Sequence, residues 1–93
     1  MKVLANDGIS KIGIKTLEKA GFEVLTTKVA QEQVANYINT HDIKVVLVRS
    51  ATKVTKEIID NCPSLQIIGR GGVGMDNIEV AYAREKGLHV INT

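Results

Sequence analysis

Gln66-Ile67-Ile68-Gly69-Arg70-Gly71-Gly72-Val73-Gly74-Met75-Asp76-Asn77 runs from an apolar, isoleucine-bearing stretch through a glycine-rich turn into a helical pattern that opens at Ile78. Four glycines within the six residues from Gly69 to Gly74 let a backbone approach a ligand that side chains would hold away. A helix directly behind them offers unpaired N–H groups and the positive end of its dipole, the local chemistry of an anion site. The same succession of strand, turn and helix repeats outward from this stretch.

Five short β-branched runs cover Lys2–Ala5, Glu23–Thr26, Lys44–Val48, Gln66–Gly69 and His89–Ile91. Their starts lie about 21 residues apart, the length of one βα unit rather than of a repeat family. Helical patterns fill the gaps over Ser10–Ala20, Gln31–Thr40, Thr55–Asn61 and Ile78–Lys86. Val34, Ala35 and Ile38 share one side of the second helix, and Ile78, Ala81 and Tyr82 form an i, i+3, i+4 stripe on the last. Gly21 and Gly87 sit where helix C-caps belong, and Pro63 follows the third helix. Asp76 and Glu79 have the spacing of a capping box.

Strict alternation of short apolar strands with helices predicts an α/β fold with a parallel sheet covered on both faces. For five strands the expected order is 2-1-3-4-5, the flavodoxin-like and Rossmann-like arrangement. Right-handed crossovers then place the first helix on one face and the other three on the opposite one. No helix follows Ile91, so the first face is left bare over strands 3, 4 and 5. An apolar face of that kind predicts a missing covering helix, or self-association of the isolated chain.

The chain has 93 residues, 44% hydrophobic and 24% charged, with a net charge of +2. That is one domain with a real core, and its composition excludes disorder. The small charge and few aromatics (one Phe, two Tyr, no Trp) argue against a nucleic-acid partner. Apolar runs are too short for a membrane span. A single cysteine, Cys62, and no leader in front of the first strand lead us to expect a cytoplasmic protein.

In an open parallel sheet, ligands bind beyond the carboxyl ends of the strands where strand order reverses. Three loops meet that description: Asn6-Asp7-Gly8, Arg49-Ser50-Ala51-Thr52-Lys53 and the turn from Arg70 to Asn77. They would line one cleft holding Arg49, Arg70, the Lys53 ammonium and a row of turn amides, which suits an anionic small molecule. Asp7 is the one carboxylate placed to act as a base. Asp76 reads as a helix cap and Cys62 as a small buried hydrophobe. His41 and His89 lack a ligand partner at usable spacing, so no metal is expected.

Gly69-Arg70-Gly71-Gly72-Val73-Gly74 also fits the dinucleotide pattern G-x-G-x-x-G. It follows the fourth strand rather than the first, an arginine crowds the pyrophosphate position, and the next strand ends in Val90-Ile91-Asn92-Thr93 without the ribose-binding acid. No cofactor-binding residue is expected here.

With these residues in view, the stretches Val48-Arg49-Ser50-Ala51-Thr52-Lys53-Val54-Thr55 and Ile68 through Ile78 resemble the D-isomer-specific 2-hydroxyacid dehydrogenases, and the Arg-Ser-Ala-Thr-Lys run points to their phosphoglycerate branch. The resemblance spans essentially the whole chain. It implies that residues 1–93 are the N-terminal, substrate-binding segment of a two-domain, NAD-dependent oxidoreductase that works as a homo-oligomer. It further implies that the NAD-binding domain, the family's Arg, Glu and His catalytic residues and a returning C-terminal helix lie beyond Thr93. Such a chain holds no catalytic residue and is expected to be inactive alone. By the same resemblance, Arg49 with Ser50 faces the substrate phosphate, Arg70 stands beside it, and the amides of Gly72, Val73 and Gly74 hold the acid carboxylate. The alternative is a standalone flavodoxin-like anion-binding or dimerisation module without catalysis.

Overall fold

Five parallel strands form a single sheet in the order β2-β1-β3-β4-β5, the order expected from the alternation. The computed structural model describes residues 1–49, 51–71 and 78–92. The strands are β1 Lys2–Ala5, β2 Glu23–Leu25, β3 Ile43–Val48, β4 Ile67–Arg70 and β5 His89–Asn92. The helices are α1 Lys11–Lys19, α2 Val34–Thr40, α3 Lys56–Asn61 and α4 Val80–Glu85, with a 3-10 turn at Gln31–Gln33 that leads into α2.

Local chemistry sets these limits. The Ser10 hydroxyl accepts the Gly13 amide at 3.1 Å and the Thr55 hydroxyl accepts the Ile58 amide at 3.3 Å, capping α1 and α3. Gly21 and Gly87 take left-handed φ values of +94° and +89°. Each supports a paired C-terminal cap: Phe22 and Gly21 donate to Leu17 and Glu18, and Leu88 and Gly87 donate to Ala83 and Arg84. At the end of α2 the left-handed position falls on Asp42, with φ +53°, a residue whose short polar side chain tolerates it.

The start of α4 departs from the sequence pattern. Ile78 forms a parallel bridge with Val54, and the Glu79 amide donates to the Val54 carbonyl at 3.0 Å. That bridge holds Ile78 extended and buried, so the helix starts only at Val80, with no side-chain cap from Glu79. The last helix thus starts two residues later than the pattern at Ile78 predicts. Asp76, the other half of the expected capping box, lies outside the described residues. The buried side of α4 is Ala83, with Val80 and Tyr82 packed beside it, while Ala81 is exposed. The Tyr82 hydroxyl donates to Asp60 at 2.6 Å and ties α4 to α3.

The main core lies between the sheet and α2, α3 and α4. A register shift between Lys2 and Val3 inserts an extra β3 residue, which lets Ile43 join Val46 and Val48 on this face. Ile68 and Val90 continue the layer, and Val34, Ile38, Ile58 and Ile59 close it from above. Cys62 is part of the same cluster, and burial pushes its thiol up to about 11; it is the small buried hydrophobe expected.

On the other face α1 packs beside β2. Over β3 to β5 no described helix covers this side. Leu47 and Ile67 are half-buried and Ile91 is 47% exposed, whereas Val45 is buried. The expected bare face is thus a partly open one.

Ile38 has no exposed surface, whereas Ile12 on α1 is 79% exposed. We expect Ile38→Ala to lower unfolding free energy by about 2–5 kcal/mol, and Ile12→Ala to change it by less than about 0.5 kcal/mol. Urea denaturation followed by circular dichroism measures both.

Candidate functional site

The carboxyl end of β1 carries two consecutive polar residues, Asn6 and Asp7, and both are turned to structural use. Asn6 is buried, so its amide must find partners. Its Nδ2 donates to the Val29 carbonyl at 2.9 Å and to Thr52 Oγ1 at 2.8 Å. Its Oδ1 accepts the Val29 amide at 2.7 Å.

Asp7 collects four donors. Its Oδ2 accepts the amides of Arg49 at 2.7 Å and Thr52 at 3.0 Å, while Oδ1 accepts the Thr52 hydroxyl at 2.6 Å and the Lys28 ammonium at 2.8 Å. The carboxylate side chain is 3% exposed. Burial alone would raise its pKa. The hydrogen bonds from Lys28, the Thr52 hydroxyl and amide, and the Arg49 amide outweigh burial and hold it well below the usual carboxylate range. Asp7 is therefore held as an anion near neutral pH and organises the loops, which does not suit a general base.

Gln31 fastens the same loop from its other end, donating from Nε2 to the Lys53 carbonyl at 2.8 Å and accepting the Lys53 amide at 2.9 Å. Lys53 lines neither cleft described below, although the sequence placed its ammonium there.

Arg49, the first residue beyond β3, borders two adjoining depressions. One, of about 190 Å³, is lined by Gly8, Ile9, Ser10, Leu47, Arg49, Arg70 and Gly71 among others. The second, of about 570 Å³, lies over Asn6, Asp7, Gly8, Thr26, Lys28, Arg49 and Ala51. The fold therefore brings Arg49 and Arg70 to one cleft at the point where strand order reverses. Arg70 Nη1 also donates to the Gly71 carbonyl at 3.3 Å. Gly8, with φ +89°, forms the shared wall. Ser50, Gly72, Val73 and Gly74 fall outside the described residues.

The histidines lie elsewhere. His41 stacks on Tyr37 with ring centroids 4.2 Å apart, and His89 opens β5. Among the described residues no group of three or more His, Cys, Asp or Glu is placed to hold a metal ion, and no helix is long and apolar enough to cross a membrane.

The first glycine of the dinucleotide-like pattern has a different task. Gly69 lies inside β4, where an added Cβ would meet Leu47 Cδ2 at 2.7 Å and Ile91 Cγ1 at 3.4 Å. Its missing side chain serves the packing of the sheet face.

Comparison with known proteins agrees with this fold. Residues 3–93 match the family model of the D-isomer specific 2-hydroxyacid dehydrogenase catalytic domain. The chain belongs to that family. It is 41% identical over 92 residues to a D-3-phosphoglycerate dehydrogenase of Methanocaldococcus jannaschii, covering 99% of this chain and 17% of that protein. A hydroxypyruvate reductase of Thermotoga maritima is 40% identical over 93 residues, covering 99% of this chain and 30% of the relative. Among solved structures, NAD+-bound 3-phosphoglycerate dehydrogenase of Entamoeba histolytica superposes with a TM-score of 0.82 at 33% identity, over 100% of this chain and 32% of that one. The chain thus spans less than a third of the length of these relatives.

Because the folded-state pKa of Asp7 is depressed, its contribution to stability is complete above the unfolded carboxylate value of about 4 and is lost as pH falls toward the folded value. We expect Asp7→Asn to cost about 2–4 kcal/mol at pH 7, since several charged hydrogen bonds are weakened together. The variant should also lose stability less steeply between pH 5 and about 2 than the parent does. Urea titrations across that range test the sign, and parallel curves would count against it.

Proposed function

We propose that residues 1–93 are the substrate-domain segment of an NAD-dependent D-3-phosphoglycerate dehydrogenase, a cytoplasmic enzyme that oxidises 3-phospho-D-glycerate to 3-phosphooxypyruvate in serine biosynthesis. The observation that carries this reading is the placement of Arg49 and Arg70 on one cleft at the sheet's switch point. Likeness to named phosphoglycerate dehydrogenases over nearly the whole chain supports it. In this reading Arg49, with Ser50, takes the substrate phosphate and Arg70 stands beside it. A guanidinium suits a phosphate because its planar fork offers two parallel hydrogen bonds. The amides of Gly72, Val73 and Gly74 hold the acid carboxylate, a role that rests on the family motif.

An acid anchored at both ends presents its C2–H in one orientation. The segment's share of catalysis is then positioning, which lowers the entropic part of the barrier. In this reading NAD and the residues that act on C2 belong to the rest of the protein.

Arg49→Ala in the full-length protein is expected to weaken 3-phosphoglycerate binding by about 1.5–3 kcal/mol, the scale of a charged hydrogen bond. That corresponds to a KM rise of roughly 10- to 150-fold. Unchanged KM and kcat/KM would remove Arg49 from the site. Sequencing the gene past the Thr93 codon tests the domain assignment. A frame running into a second βαβ domain supports a dehydrogenase segment, and a stop codon there supports a standalone anion-binding module.

A further inference from the structure

The β3 terminus is clamped on both sides. The Asn6 amide donates to the Leu47 carbonyl at 3.2 Å and the Gly71 amide to the Val48 carbonyl at 3.0 Å. Arg49 follows at once, and its amide is taken by Asp7, a side chain rooted at the end of the neighbouring strand. Three residues further on, Thr52 gives the same carboxylate both its amide and its hydroxyl.

We propose that Asp7 is a positioning residue for phosphate recognition: by gripping Arg49 and Thr52 it fixes the backbone from which the Arg49 side chain reaches the cleft. The inference rests on the reading of Arg49 as the phosphate ligand. A free arginine side chain samples many rotamers, and binding must order it. A backbone that also wandered would add to the ordering cost of every binding event. Asp7 removes that second cost before substrate arrives. Its negative charge, which would otherwise oppose a phosphate nearby, is offset by Lys28 at 2.8 Å and by the three hydrogen-bond donors of Arg49 and Thr52.

A merely structural Asp7 would affect all substrates alike, and that separates the two roles. In the full-length protein, Asp7→Ala is expected to raise KM for 3-phosphoglycerate about tenfold with kcat within about twofold. For D-glycerate, which lacks the phosphate, KM should stay within about twofold. In the Arg49→Ala background Asp7→Ala should add less than about twofold, because the two residues act through one contact. If Asp7→Ala does not fold, as judged by circular dichroism, Asp7→Asn keeps one acceptor oxygen for the amides and should show the same selectivity with about a threefold rise. Equal losses for both substrates, or full additivity with Arg49→Ala, overturn the proposal. If Arg49→Ala raises KM and the Asp7 variants do not, the positioning role alone falls. If Arg49→Ala itself leaves KM unchanged, the reading of the phosphate site fails and this inference fails with it.

Discussion

The buried carboxylate of Asp7 is the constraint on which the carboxyl edge of this sheet depends. An ionised group taken out of water is costly unless its oxygens are met by donors. Here every donor comes from another segment: Lys28 from the β2–α2 connection, Arg49 and Thr52 from the β3–α3 connection. Thr52 passes the network on, since its hydroxyl donates to Asp7 and accepts from Asn6. Asn6 then binds both polar groups of Val29. Loops that would otherwise be independent are joined into one rim by the two consecutive residues that follow β1.

The location of that rim follows from topology. β1 and β3 are neighbours, yet the connection leaving β1 crosses to the α1 face and the one leaving β3 crosses to the other. A gap opens where the two connections part, and Gly8 and Arg49 stand on its sides. The apolar layers beneath it supply most of the stability and no chemistry. Polar residues at the strand ends determine what the gap can hold, which separates the work of folding from the work of binding.

Much of this could be read from the sequence because it depends on local chemistry. Strand spacing and the caps at Gly21 and Gly87 need only backbone geometry, and both stand as expected. The α4 start was illegible for a tertiary reason. Ile78 fits a helical stripe, but the bridge to Val54, 24 positions earlier, claims its backbone. The left-handed Asp42 was hidden because its signal is not glycine. Asp7 was visible as a carboxylate in the right loop. Its role as an organiser depends on three donors from two residues more than 40 positions away, which no local pattern encodes. The place of Arg49 at the cleft followed from the order of strands and loops, and what holds its backbone did not.

The glycine motif combines two demands that the sequence does not distinguish. Gly69, Leu47 and Ile91 form one row across β3, β4 and β5 on the partly open face. Leu47 occupies the space that a Gly69 side chain would need. Leu47 and Gly69 are also wall residues of the smaller cleft. The row that packs the sheet face is therefore continuous with the wall of the candidate binding site. A methyl group added at Gly69 would displace Leu47 first, and the displaced side chain would move along that same wall. At this position the packing of the sheet face and the shape of the cleft wall are coupled through Leu47.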